Sequence, residues 1–78
     1  MYRNKSVLEA IHRVLHERKM TMDEWEASIG WPKGSVVRSL QPPEEIGIHR
    51  NIKLPAEMLG IQSAVFLQQV SRIDEELG

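Results

Sequence analysis

TMDEWEASIGWPKGSVVRSLQPP, residues 21–43, is the stretch that decides how this 78-residue chain folds. Thr21 followed by Glu24 is a capping-box pattern, in which each side chain satisfies a backbone N–H that a helix start leaves unpaired. Asp23, Glu24 and Glu26 suit the positive end of a helix dipole. Met22, Trp25 and Ile29 recur at i, i+3 and i+7, which places them on one face. Gly30 supplies the left-handed residue that ends a helix, so a two-turn helix is predicted over roughly 22–29. Pro32 suits a first helical position and pushes Trp31 out of the helical region, with Trp31 expected to pack on the next helix. That second short helix is predicted from Pro32 to Leu40, stopped by the Pro42-Pro43 pair. Two short helices joined by a tight glycine-containing turn form a helix-turn-helix unit.

On the N-terminal side, Ser6 and Glu9 repeat the capping-box signature. Val7, Leu8, Ile11, Val14 and Leu15 form one apolar face, and Glu9–Arg13 and Arg13–Glu17 are i,i+4 pairs on the other. A long first helix is expected there. On the C-terminal side, Pro43-Glu44-Glu45-Ile46 has the look of a helix start that Gly47 and the isoleucines weaken. Ile46 to Ile52 is open to an extended reading, even a small wing, with Pro55 opening a short helix from Ala56 to Leu59 that Gly60 ends. The last helix is predicted over about 62–77. Phe66, Val70, Ile73 and Leu77 are spaced 4, 3 and 4, a seam able to meet a partner or to serve as the inner face of a packed helix. Ile61, Ala64 and Val65 adjoin it. The expected class is all-α: one compact domain of four to five helices spanning residues 1–78, with the C-terminal helix as dimer contact.

Composition narrows the rest. A chain this short buries only about 60% of its unfolded surface, so small domains commonly add a disulfide, a metal or a partner chain. With no cysteine, disulfides and thiolate metal sites are excluded, and oligomerisation is the expected reinforcement. No apolar run approaches the roughly 18 residues of a membrane span, and the start MYRNKSVLEAIHRVLHERK is too polar for a signal peptide. A cytoplasmic protein with no membrane contact is expected. The net charge of −1 argues against coating nucleic acid by charge alone. Its distribution is segregated: residues 1–19 carry +3, 20–32 carry −3, 33–53 carry +2 and 54–78 carry −3. That pattern allows a local basic footprint on a nearly neutral molecule.

The window 22–40 resembles the helix-turn-helix of bacterial and phage transcriptional regulators. Gly30 falls on the family's turn glycine; Trp25, Ile29 and Val36 fall on its buried apolar positions. Gly30-Trp31-Pro32-Lys33-Gly34-Ser35-Val36-Val37-Arg38 is similar to recognition helices of several repressor families. The run Ile52 to Ile61 looks like the later helices of Xre/Cro-type lambdoid phage repressors, so the resemblance covers about residues 5–70. It implies a lambda-repressor-like fold whose third helix lies in the major groove of double-stranded DNA. Lys33, Gly34, Val37, Arg38 and Gln41 would then be the base-reading set, with Arg38 suited to guanine, Gln41 to adenine and Val37 to a thymine methyl. Thr21, Ser35, Arg50 and Lys53 would hold phosphates, fixing register without reading sequence.

A homodimer at an operator is implied, because operator symmetry mirrors protein symmetry, with Phe66, Val70, Ile73 and Leu77 as the interface. Repression by occluding a promoter is the simplest mechanism; an acidic surface would also suit an RNA polymerase contact. Two residues depart from the family pattern: Glu26 replaces a small residue and Ser39 an apolar one. They keep open a turn of different length, or a protein–protein adaptor or inhibitor that reuses the same core. Enzymatic motifs are lacking: there is no glycine-rich phosphate loop, no cysteine nucleophile and no local partner for Ser35. His12 and His16 have i,i+4 metal-binding spacing, but without HExxH and with His49 distant they read as solvated. No metal or cofactor is expected.

Overall fold

The apolar face read between Val7 and Leu15 becomes the inner side of α1, Asn4–Glu17, in a computed structural model that describes residues 2–78. Among those residues four more helices follow: α2 Met22–Ser28, α3 Ser35–Ser39, α4 His49–Leu59 and α5 Ser63–Leu77. The described residues contain no strand, only one isolated antiparallel bridge between Arg3 and Ile46. The fold is all-α, and the extended, winged reading of 46–52 does not hold. No helix among the described residues is long and apolar enough to cross a membrane.

A single hydrophobic cluster joins Val7, Ile11 and Leu15 of α1, Trp25 of α2, Val36 and Leu40 around α3, Ile52 and Leu59 of α4, and Phe66, Val70 and Ile73 of α5. α5 packs chiefly on α1 and then on α4. That packing corrects the seam. Phe66 and Val70 are wholly buried and Ile73 nearly so, leaving only Leu77, 45% exposed, at the surface. The 4-3-4 spacing is the inner face of a helix laid on α1, and three of its four residues are closed to a partner.

α1 begins two residues before the predicted cap. Arg3 holds the N-cap position, and Ser6 lies inside the helix, buried. The Ser6 hydroxyl instead donates to Asp74 Oδ1 on α5 at 2.6 Å, an oxygen that also accepts from Arg3 N at 3.0 Å and Arg3 Nε at 2.9 Å. Arg3 Nη2 completes the knot on the Asp74 carbonyl at 2.9 Å. Arg13 pairs with Glu9 at 3.2 Å as its spacing predicts, and its second ion pair is with Glu76 on α5.

α4 runs through Pro55 and does not start at it. Proline costs a helix interior about 3 kcal/mol, because its nitrogen offers no N–H to the carbonyl four residues back. Against that, Ile52, Pro55, Ala56 and Leu59 are all buried, an i, i+3, i+4, i+7 stripe that gains only if the chain is helical from His49. Gly60, at φ +72°, ends the helix, and Arg18 Nη2 donates to the Leu59 carbonyl at 2.6 Å. The segment before α4 is held by the N-terminus: Lys5 N donates to Pro43 O at 2.7 Å, Asn4 N to Glu45 O at 2.8 Å and Gly47 N to Tyr2 O at 3.0 Å. The Tyr2 hydroxyl adds a bond to Ile48 O at 2.7 Å.

Candidate nucleic-acid interface

The α2 capping box forms as its sequence predicts: Glu24 N donates to Thr21 Oγ1 at 3.1 Å and Thr21 N to Glu24 Oε1 at 3.0 Å. The Thr21 N–H on Oε1 chiefly holds the Glu24 carboxyl below its usual range, and the Thr21 hydroxyl adds to it. α2 then ends with Gly30 in the left-handed region at φ +79°. The connection to α3 is longer than predicted. Gly34 is also left-handed, at φ +82°, and a residue in that conformation cannot continue a right-handed helix. Pro32 to Gly34 therefore form a turn, α3 starts at Ser35, and the helix is five residues long where nine were expected.

The proposed base readers are placed unevenly. Lys33 lies in the turn, exposed, with Nζ 3.5 Å from Asp23 Oδ2. Arg38 is exposed on α3 and folds back so that Nη1 donates to the Lys33 carbonyl at 3.3 Å. A Cβ on Gly34 would stand 3.1 Å from that same Nη1, so the glycine leaves room for the guanidinium. Val37 is half-buried, not outward, and Gln41 is exposed just beyond the end of α3.

Of the proposed phosphate contacts, Thr21 is exposed, with its oxygen engaged in the cap. Ser35 is half-buried, and its hydroxyl donates to Pro32 O at 2.6 Å. Arg50 and Lys53 are exposed on the first turns of α4, not in a loop. Arg50 borders a cleft of about 260 Å³ whose opposite wall is Trp31, Val36, Ser39 and Leu40, so it stands beside the C-terminal half of α3. His12 and His16 are exposed beside an open groove, and the described residues hold no group of three metal-ligating side chains.

Glu26, a departure from the family pattern in sequence, has a definite task in the structure. Its side chain is fully buried, Oε1 accepts from Gly34 N at 2.9 Å and Oε2 accepts from Val36 N at 2.9 Å. Ser35 Oγ lies 3.4 Å from Oε2. Burial pushes this carboxyl up, but the backbone bonds from Val36 and Gly34, with the nearby Ser35 hydroxyl and the charge of Arg38 adding less, outweigh it and hold the group below its usual range. A signal for this was present in the sequence: position 26 is i+4 from Met22 and i−3 from Ile29, inside the stripe that faces the core. Beside it, Trp25 and Trp31 pack with tilted rings 6.1 Å apart, and the buried Trp25 Nε1 has no partner among the described residues.

Comparison with protein-family profiles, curated proteins and solved structures finds no match for this chain. The candidate interface therefore stands on its own geometry.

Proposed function

We propose that the chain is a sequence-specific DNA-binding transcriptional regulator of phage or mobile-element type, a repressor that occupies its operator as a homodimer. The observation that carries the reading is the set of exposed hydrogen-bonding cations and amide around one short helix. Lys33 precedes α3, Arg38 lies on it, Gln41 follows it and Arg50 flanks it from α4. An arginine and a glutamine are the side chains that match guanine and adenine edges in the major groove. Arg50 and Lys53, one helical turn apart on α4, suit a phosphate backbone, which gives affinity without reading sequence. In this reading α2 and α3 are the helix-turn-helix and the rest of the chain is its scaffold. The dimer contact would use surface outside the buried part of α5.

Selection of bound duplexes from a random pool at near-physiological salt tests it. Enrichment of a palindrome is expected. Arg38→Ala should lose about 1–3 kcal/mol of specific binding and relax preference at one base pair. Arg50→Ala should weaken all duplexes alike and flatten the salt dependence. No enrichment by a folded sample would refute the reading and favour a protein partner, for which Leu54 and Met58 on α4 and Val65 and Leu67 on α5 offer exposed apolar surface.

A further inference from the structure

We propose that Glu26 is the positioning residue of the α2–α3 unit: its carboxylate bridges Gly34 N–H and Val36 N–H, sets how α3 presents Arg38, and removes the N-terminal end of α3 as a phosphate site. The inference rests on the DNA reading and adds to it a determinant of specificity that makes no contact with DNA.

α3 has few other anchors. It is five residues long, its N-cap residue is glycine, and that residue makes no side-chain capping bond. Close helix–helix packing is concentrated on α1, α4 and α5, and α3 is tied to the core mainly through buried Val36 and Leu40. Two apolar anchors on one side of a single helical turn leave rotation about the line joining them unopposed. A carboxylate with one oxygen on Gly34 and the other on Val36 opposes that rotation, because both bonds are 2.9 Å and the acceptor belongs to a different helix. The acceptor is itself held by α2, whose start is closed by the Thr21–Glu24 box.

The cost of this arrangement also indicates its purpose. Glu26 is fully buried and forms no ion pair among the described residues, so its charge is compensated chiefly by N–H groups, with the more distant charge of Arg38 adding a smaller part. An isolated buried charge is expensive unless hydrogen bonds satisfy it. Here they do, and the same bonds consume the donors that would otherwise attract an anion at a helix start. A DNA phosphate approaching that end would meet a neutralised dipole and a Ser35 hydroxyl already donating to Pro32 O. Backbone contacts then fall to Arg50 and Lys53 on α4, while the exposed side of α3 is left to Arg38.

Glu26→Gln tests this. The amide keeps one acceptor oxygen and turns an NH2 toward a backbone N–H, so one of the two bonds must break. With the duplex from selection as probe, specific affinity should fall at least about tenfold. Affinity for random duplex should change less than about twofold, because the α4 cations are untouched. Val70→Ala, on the α5 side of the core, is the stability control. Both variants are measured at a temperature where both are folded, and the control should keep the wild-type ratio of specific to random binding. Amide hydrogen exchange gives a second readout without DNA: Gly34 and Val36 should lose protection in Glu26→Gln while Ile29 keeps it. An unchanged affinity ratio, or unchanged exchange at Gly34 and Val36, overturns the inference. A wild-type protein with no sequence preference refutes the DNA reading instead, and exchange alone then decides whether Glu26 anchors α3.

Discussion

Asp74→Asn offers a direct test of what joins the two ends of the fold. Oδ1 of Asp74 accepts three hydrogen bonds, from Ser6 Oγ, Arg3 Nε and Arg3 N. The Ser6 bond, then those from Arg3, hold the carboxyl at about 2, against an ordinary 3.8. At about 1.4 kcal/mol per pH unit that difference corresponds to about 2.5 kcal/mol. The Asp74 side chain keeps 19% of its exposure, so water screens part of this and about 1–2 kcal/mol is the expected contribution. Asparagine can place its oxygen where Oδ1 stands, so the substitution isolates the charge from the hydrogen-bond geometry. The sign is that of a carboxyl whose pKa is lower in the folded state. Its stabilisation is complete above the unfolded value near 4, shrinks as pH falls from about 4 to about 2, and is gone below that. Urea unfolding of both proteins at pH 7, 4, 3 and 2 should show a gap that is widest at pH 7 and closes by pH 2. In a domain of this size it should appear as roughly 5–15 °C in Tm at neutral pH. A gap under about 0.3 kcal/mol at pH 7, or one that stays constant down to pH 2, would refute the reasoning.

Gly47→Ala should destabilise by about 1–3 kcal/mol through overpacking, since a Cβ there would overlap Cε2 of the Tyr2 ring. Thermal unfolding checks it, and a Tyr2→Ala background should remove most of the loss; equal losses in both backgrounds would sink the steric account. Arg18→Ala should cost about 1 kcal/mol by freeing the Leu59 carbonyl at the end of α4, a loss that denaturant titration would register. An unchanged midpoint would mean that water replaces the guanidinium without penalty.

Where an element is specified by its own residues, the sequence announced it. The Thr21–Glu24 box, the left-handed Gly30 and the apolar stripes of α1 and α5 are local patterns, and each is found within a residue or two of its predicted place. What escaped depends on partners distant in the chain. Pro55 reads as a helix start in isolation, and only the core that receives Ile52 and Leu59 makes a proline-containing helix worthwhile. Ser6 reads as a cap because Asp74 is 68 residues away. Periodicity places Phe66, Val70 and Ile73 on one face and is silent on what that face meets; α1 took it. In the candidate site, the exposure of Lys33, Arg38, Gln41, Arg50 and Lys53 follows from their charge or polarity, whereas the burial of Glu26 depends on the Gly34 and Val36 N–H groups, eight and ten residues on.

The same non-local logic governs both sides of α3. At its start it is held by Glu26, a carboxylate from another helix. Past its end, the chain from Pro43 to Ile48 is pinned by backbone and hydroxyl bonds from Tyr2, Asn4 and Lys5. Arg3, in the middle of that pinning segment, is itself tied to Asp74 on α5. A five-residue helix cannot sustain itself, because nucleation costs more than one turn of hydrogen bonds returns. Its persistence must therefore come from these outside ties and from the burial of Val36 and Leu40. Such a segment belongs to the low end of local stability in a domain, the part that opens before the whole unfolds. Loosening the Arg3–Asp74 knot should then reach α3 through the 43–48 segment without touching it. Exchange at Arg38 and Leu40 in Asp74→Asn would rise ahead of exchange at Ile11 if the coupling runs this way, and all would rise together if the domain only opens as a unit.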